Sequence, residues 1–293
     1  MNVRFLKLVI ISTLAAVVLS GCAFLFPKNA ALREVHKAYR TEFASTFLGN
    51  ATQGEVWCDP NSRTEVGSFP NTLQAIRDFE IQYPGKSSQA NHLTILKGMI
   101  HLQVGNTGIA RGMVEDVENA SSSLAGGRTV RDELFGKAFK KLVDGWEEVC
   151  DMVKEHPGGV YANEDSQKIA EAAQGVLDIV VDKDKPIQTT VPSVDEGAIY
   201  LATTAGIFYY YAHRIEFDTC KAMESPGTNC NEKVRPKNYL NKAYTAIGEF
   251  LGPDEKKAIS DPAWFKTIPR GRIGYVRWYG HLKGKAEAAG QLE

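Results

Sequence analysis

The sequence has almost no stretch in which apolar and polar residues alternate with a period of two, so half-buried strands are not expected. It has no His-Glu-x-x-His, which removes the usual zinc-protease ligand spacing. It has no Gly-x-Ser-x-Gly and no Gly-x-x-x-x-Gly-Lys-Ser/Thr, so a nucleophile elbow and a phosphate loop are both missing. Cys-x-x-Cys is absent and no histidine stands at ligand spacing from a cysteine, which argues against a zinc centre. Neither sign of charge dominates: 34 Lys and Arg face 35 Asp and Glu, for a net charge of −1. A nucleic-acid partner would call for a basic excess, and none is expected here. Nor is there an apolar run of about 20 residues, the length that spans a bilayer. The longest, Leu8 to Leu19, is about a dozen residues.

What is present begins at the N-terminus. Arg4 and Lys7 precede the apolar run, and Ser20-Gly21-Cys22 follows it. A short basic segment, an apolar segment and small residues make up an export signal, not a membrane helix. Leu19-Ser20-Gly21-Cys22 resembles the lipobox of bacterial lipoproteins. The resemblance implies cleavage before Cys22, a diacylglycerol on its thiol and acylation of its new amine. More than one acyl chain anchors stably, where one binds only reversibly. Ala23 stands where the family carries Asp to retain a lipoprotein in the inner membrane. The implied address is therefore the outer membrane, facing the periplasm. The expected organisation is a signal peptide over 1–21, an anchor with one helix and a loop over 22–70, and an α-helical domain over 71–293.

With Cys22 lipidated, Cys58, Cys150, Cys220 and Cys230 remain. An even number in an oxidising compartment favours disulfides. Cys220–Cys230 would close a short local loop, and Cys58–Cys150 then follows by elimination. Free buried thiols are the other reading.

Apolar residues recur every three or four positions along most of the chain, the mark of amphipathic helices. Leu32, Val35, Tyr39, Phe43 and Phe47 define the first, over 30–48. A polar loop with Gly and Pro follows to Pro70. Leu73, Ile76, Phe79 and Tyr83 define the next, with Asn71 or Thr72 as its cap. Further helices are expected over 88–104, from Thr107 to about Val117, and over 129–155, 166–181, 195–217 and 237–251. A short segment over 255–259 and a last helix to about Ala289 complete the set. The stretch 195–217 is apolar around much of its girth and reads as a central buried helix. The fold class is all-α, in antiparallel helical hairpins that form either a repeat array or a bundle.

Gly98, Gly105 and Ala110 fall at spacings that resemble the small positions of the tetratricopeptide repeat. Phe79-x-x-x-Tyr83-Pro84-x-x-Ser87 followed by Ala90 is similar to a pattern in repeat lipoproteins of the outer-membrane-protein assembly machinery. A second unit would pair 195–217 with 237–251, where Ala243, Ile247 and Phe250 suit the second helix. The repeat's aromatic positions are held here by Thr94 and His101.

No catalytic set emerges, and no cofactor or metal is expected. His213 and Glu216, three apart on one helix, are the strongest acid–base candidates. Gly126-Gly127-Arg128-Thr129 is a glycine turn before a helix that could cradle an anion. Tyr209, Tyr210 and Tyr211 are candidate binding residues, because tyrosine offers a large contact area with a polar tip. So are Arg270, Arg272, Arg277 and Trp278, in a C-terminal segment with no acid between Asp261 and Glu287. Lys266, Lys283 and Lys285 add to its charge, which suits anionic lipid head groups, lipopolysaccharide or an acidic partner. The expected function is a lipid-anchored adaptor or assembly factor that binds other envelope proteins. The alternatives are a small-ligand-binding accessory lipoprotein of a transporter, with an apolar cavity at Tyr209 to Tyr211, and an envelope enzyme built on His213 and Glu216.

Overall fold

The structure is a computed structural model that describes residues 27–43, 58, 69–84, 88–103, 105–123, 130–156, 163–181, 196–268 and 272–292. The described residues contain α-helices and short 3₁₀ turns and no strand. The helices are α1 (Pro27–Glu42), α2 (Pro70–Gln82), α3 (Ser88–Gln103), α4 (Thr107–Ser123), α5 (Val130–Glu155) and α6 (Asn163–Val180). They continue with α7 (Glu196–Met223), α8 (Cys230–Val234), α9 (Tyr239–Gly248), α10 (Pro253–Ser260) and α11 (Ile273–Ala288). The chain is all-α, as the apolar periodicity implies. None of these helices is long and apolar enough to cross a membrane. Cys22, Arg270 and the Gly126–Thr129 turn lie outside the described residues.

Consecutive helices pack on one another from α3 to α7, then α7 packs on α9 and α9 on α11. The neighbours run antiparallel. Arg111 near the start of α4 pairs with Asp144 (2.6 Å) and with Glu147, toward the end of α5. Lys168 at the start of α6 pairs with Glu148 of α5 (3.0 Å). Ser166 meets Glu216 at the far end of α7, while Gln174 meets Tyr209 a turn or two earlier. Second neighbours also touch, α3 with α5 and α5 with α7. Two close approaches make this possible. A methyl on Gly98 would lie 2.2 Å from the Phe139 ring of α5. A methyl on Gly145 would lie 2.6 Å from Ala172 of α6 and 2.8 Å from Phe208 of α7. Gly98 therefore admits an aromatic ring of α5.

The central helix is α7. Every residue from Ile199 to Tyr210 is buried, and Phe208 packs on Trp146 of α5 (centroids 5.7 Å). A buried aromatic of this size contributes several kcal/mol, and truncating one to alanine costs about 3–5 kcal/mol. The helix reaches Met223, beyond the apolar pattern that ends near Phe217, so Cys220 is helical. Its last turns are polar and exposed, and they have no apolar stripe to announce them. Cys220 is joined to Cys230 at the start of α8, and Cys58 to Cys150 of α5. The pairs close segments of 10 and 92 residues.

The N-terminal helix is built into the same core. Tyr39 of α1 and Phe43, which directly follows the helix, are fully buried. Tyr39 meets Tyr200 of α7 edge-on (4.5 Å), and Phe43 meets Tyr275 of α11 (5.8 Å). The turn into α2 is fixed by a carboxylate. Glu42 accepts from the Asn71 amide (2.9 Å), the Asn71 side chain (2.9 Å), the Thr72 amide (3.0 Å) and the Thr72 hydroxyl (2.5 Å). Asn71 and Thr72 were expected to cap α2 with their own side chains. Pro70 occupies the first helical position, and a glutamate from α1 supplies the cap instead. A carboxylate at a helix N-terminus satisfies free amides and complements the helix dipole.

Candidate functional site

Successive residues of an α-helix point about 100° apart. Tyr209, Tyr210 and Tyr211 therefore face three ways, and the packing of α7 gives each a different surrounding. Tyr209 faces α6 and α9. Its ring lies against Tyr239 (6.2 Å), Lys242 Nζ sits 5.6 Å from the ring centroid, and its hydroxyl donates to Gln174 Oε1 at 2.7 Å. Burial first, then the charge of Asp178, pushes its hydroxyl above the ordinary tyrosine range, so it stays protonated. It floors an open groove of about 430 Å³ whose walls carry Leu177 and Asp178 of α6, Lys242 and Thr245 of α9, and Glu249 at the C-terminal end of α9.

Tyr210 faces the other way, toward α11. Its ring packs edge-on against Trp278 (5.5 Å) and His281 (6.0 Å), and it lines a second cavity of about 300 Å³. His213, Arg214 and Phe217 continue that wall along α7, with Lys285 opposite on α11. Tyr211 is partly buried against the core and lines neither cavity. Among the described residues the three tyrosines do not share one apolar cavity; Tyr209 and Tyr210 line separate concavities on either side of α7.

His213 and Glu216 are not brought together. His213 is 8% exposed, and its Nδ1 lies 3.3 Å from Gln291 Nε2. Burial holds its pKa down to about 4; Asp218 opposes that shift and Lys285 adds to it. The imidazole is neutral at pH 7. Glu216 points to α6, where its Oε1 accepts from Ser166 Oγ at 2.5 Å and meets Lys237 Nζ at 3.7 Å. Three residues along a helix turn the two side chains to different neighbours, so the proposed acid and base do not share a proton path.

The C-terminal candidates divide as well. Trp278 is 1% exposed and stacks on His281 (5.4 Å), so its face packs the last helix into the core. Arg272 grips Glu255 through two nitrogens (2.6 and 2.8 Å) and donates to the Phe250 carbonyl (2.7 Å). Glu255 also accepts from the Gly252 amide (2.8 Å) at the start of α10. Burial opposes ionisation of Glu255, but Arg272 and that amide outweigh it and hold the carboxyl below its ordinary range. Arg272 thus clamps α11 to α10 and is committed to the fold. Arg277, Lys266 and Lys285 are exposed, and Lys283 reaches Glu287 at 3.8 Å. Among the described residues, no group of three or more His, Cys, Asp and Glu is placed to hold a metal ion.

Two features had no sequence signal. Gln291 lies just beyond α11, is 3% exposed, and accepts from the Leu240 amide (2.9 Å) while facing His213. Glu42 reads as an ordinary polar helix end. Each acquires its role from a partner at least 29 residues away.

The arrangement defines an all-α protein of stacked antiparallel helices with a groove and a cavity on opposite sides of its central helix. No family model matches the chain, and neither a curated protein nor a solved structure does.

Proposed function

We propose that this protein is a lipid-anchored adaptor of the cell envelope, which holds a segment of a partner protein in the groove between α6 and α9. The groove carries the reading. It is open along the surface, about 430 Å³, with an apolar strip of Leu177, Val181 and Ala246 between charged rims of Asp178, Lys242 and Glu249. An apolar floor inside a polar, charged rim is the usual anatomy of a protein contact. Tyr209 supplies a rigid aromatic base held by Gln174, the residue type that recurs where contacts carry most energy. The lipobox-like Leu19–Cys22 supplies the anchor, and the described structure begins a few residues later at Pro27. Arg277 and Lys266 are exposed, and their charge suits anionic head groups.

The test is affinity purification of the tagged full chain from detergent-solubilised envelopes, beside Lys242→Glu and Cys22→Ala. The adaptor reading expects a defined partner that wild type retains and Lys242→Glu loses. A partner held equally by both, or no partner at all, contradicts it. Labelling with palmitate that disappears in Cys22→Ala supports the anchor; label that persists contradicts it.

A further inference from the structure

The cavity between α7 and α11 has a donor set that the fold itself does not use. Gln291 fixes its polarity. The Leu240 amide donates to Gln291 Oε1 at 2.9 Å, so the amide nitrogen of Gln291 is the atom turned to His213 Nδ1, 3.3 Å away. An amide nitrogen donates and does not accept, so Nδ1 is the acceptor of the ring. The imidazole proton therefore sits on Nε2. That Nε2–H has no hydrogen-bond partner among the described residues, and His213 lines the cavity. The Tyr210 hydroxyl, on the same wall, also has none among them. Both donors open onto the cavity and not onto the protein interior, so an oxygen of a molecule lodged there can accept from the two together.

The charges around the cavity nearly cancel, and what remains is positive. Arg214 is opposed by Asp218 at 3.4 Å. Lys285 faces no carboxylate within ion-pair distance among the described residues. One uncompensated cation beside two neutral donors suits a single negative charge spread over two oxygens. The rest of the wall is largely apolar, with Phe217, Leu240, Ala288 and Ala289, and Asn231 adds one neutral amide. A volume of about 300 Å³ lies at the small end of ligand sites.

We propose that this cavity binds a small organic monocarboxylate, with His213 Nε2–H and the Tyr210 hydroxyl donating to its oxygens and Lys285 balancing its charge. The carbon body rests against Phe217 and Leu240. The site is separate from the groove at Tyr209 and does not depend on the adaptor role. A phosphate dianion carries more charge than the wall offers, and a neutral alcohol leaves Lys285 unmatched.

Benzoate serves as the probe, added to the nitrogen-15-labelled full chain at pH 7 while the ring nitrogens of His213 are followed by NMR. In the free protein Nε2 is the protonated nitrogen. On addition of benzoate its resonance moves saturably, while benzyl alcohol and inorganic phosphate bind at least tenfold more weakly. Tyr210→Phe removes only a hydroxyl that the fold does not use, and Lys285→Gln removes an exposed charge. Tyr210→Phe weakens benzoate by about tenfold or more, the worth of one hydrogen bond to a charged group, and Lys285→Gln, at an exposed charge, by about two- to fivefold. A proton found on Nδ1, no saturable shift, equal binding of benzyl alcohol or phosphate, or unchanged affinity in both variants overturns the proposal.

Discussion

Tyr209 and Tyr210 are adjacent in the chain, yet they serve opposite sides of one helix. On the Tyr209 side the hydroxyl is spent inside the protein, on Gln174, and the groove above it is open, with acids and a lysine on its rims. On the Tyr210 side the hydroxyl finds no partner among the described residues, the wall holds a neutral imidazole of fixed tautomer, and the remaining charge is positive. The difference follows from what docks on α7. α6 and α9 bring an amide and mixed charges to one face, while α11 and the tail at Gln291 bring a lysine and a second amide to the other. A run of tyrosines therefore specifies neither one pocket nor one function. The helices around it decide which ring becomes a floor and which a ligand wall.

The strongest way to break the comparison is to loosen the scaffold that both sides share. Cys58–Cys150 ties residue 58 to α5 across 92 residues, and Cys220–Cys230 closes only 10, beside the Tyr210 cavity. In the chain-entropy view, Cys58→Ser with Cys150→Ser costs about 4.6 kcal/mol, and the Cys220, Cys230 pair about 2.7 kcal/mol. Urea unfolding of the two double variants measures the order. The larger loss should weaken both sides together, and the smaller one chiefly the Tyr210 side.

Acid separates the sides next. An unfolded histidine titrates near 6.5, whereas burial keeps His213 at about 4. Below about pH 6.5 the unfolded chain takes a proton that folded His213 refuses. Stability therefore falls as pH drops from about 6.5 to about 4, by up to about 3 kcal/mol from this residue. His101 and His281 are shifted in the same direction by burial and add to the slope. Unfolding midpoints measured across this window should show the fall in wild type and a shallower one in His213→Phe.

Arg272→Lys tests the clamp that holds α11 against α10. Lysine cannot reproduce the two-nitrogen grip on Glu255, and the loss of one charge-assisted bond costs about 1–2 kcal/mol. Thermal melting reads it directly. The smallest effect sharpens the comparison most. Tyr209→Phe removes the bond to Gln174, whose exposed amide turns to water, and costs about 1 kcal/mol or less. Tyr210→Phe leaves stability unchanged, because no described residue bonds to its hydroxyl.

The helices were legible because burial imposes a 3.6-residue period on apolar side chains. Leu73, Ile76, Phe79 and Tyr83 mark α2 to within a residue of its observed ends. The polar end of α7 was not legible, since exposed Asp218 and Lys221 carry no such period. Both disulfide pairings follow from cysteine parity and loop length, and both are present. The site was half legible. The tyrosine run and His213 stand out by residue type, but their division between two concavities depends on how α6, α9 and α11 dock. Trp278 left two readings open, because an aromatic face at helical spacing reads alike whether it meets a partner or packs the last helix onto the core, and Arg272 stood among the candidate contact charges because an arginine committed to an ion pair within the fold carries no mark of it. Gln291 carries no signal at all, because an amide beyond the last helix gains meaning only from Leu240 and His213.

The most direct test of the account places a photo-crosslinking amino acid at Thr245, on the groove, and in a second protein at Asn231, on the cavity, and irradiates intact cells. The account predicts a discrete protein adduct from Thr245 and none from Asn231. No adduct from Thr245, or the same adduct from both positions, would contradict it.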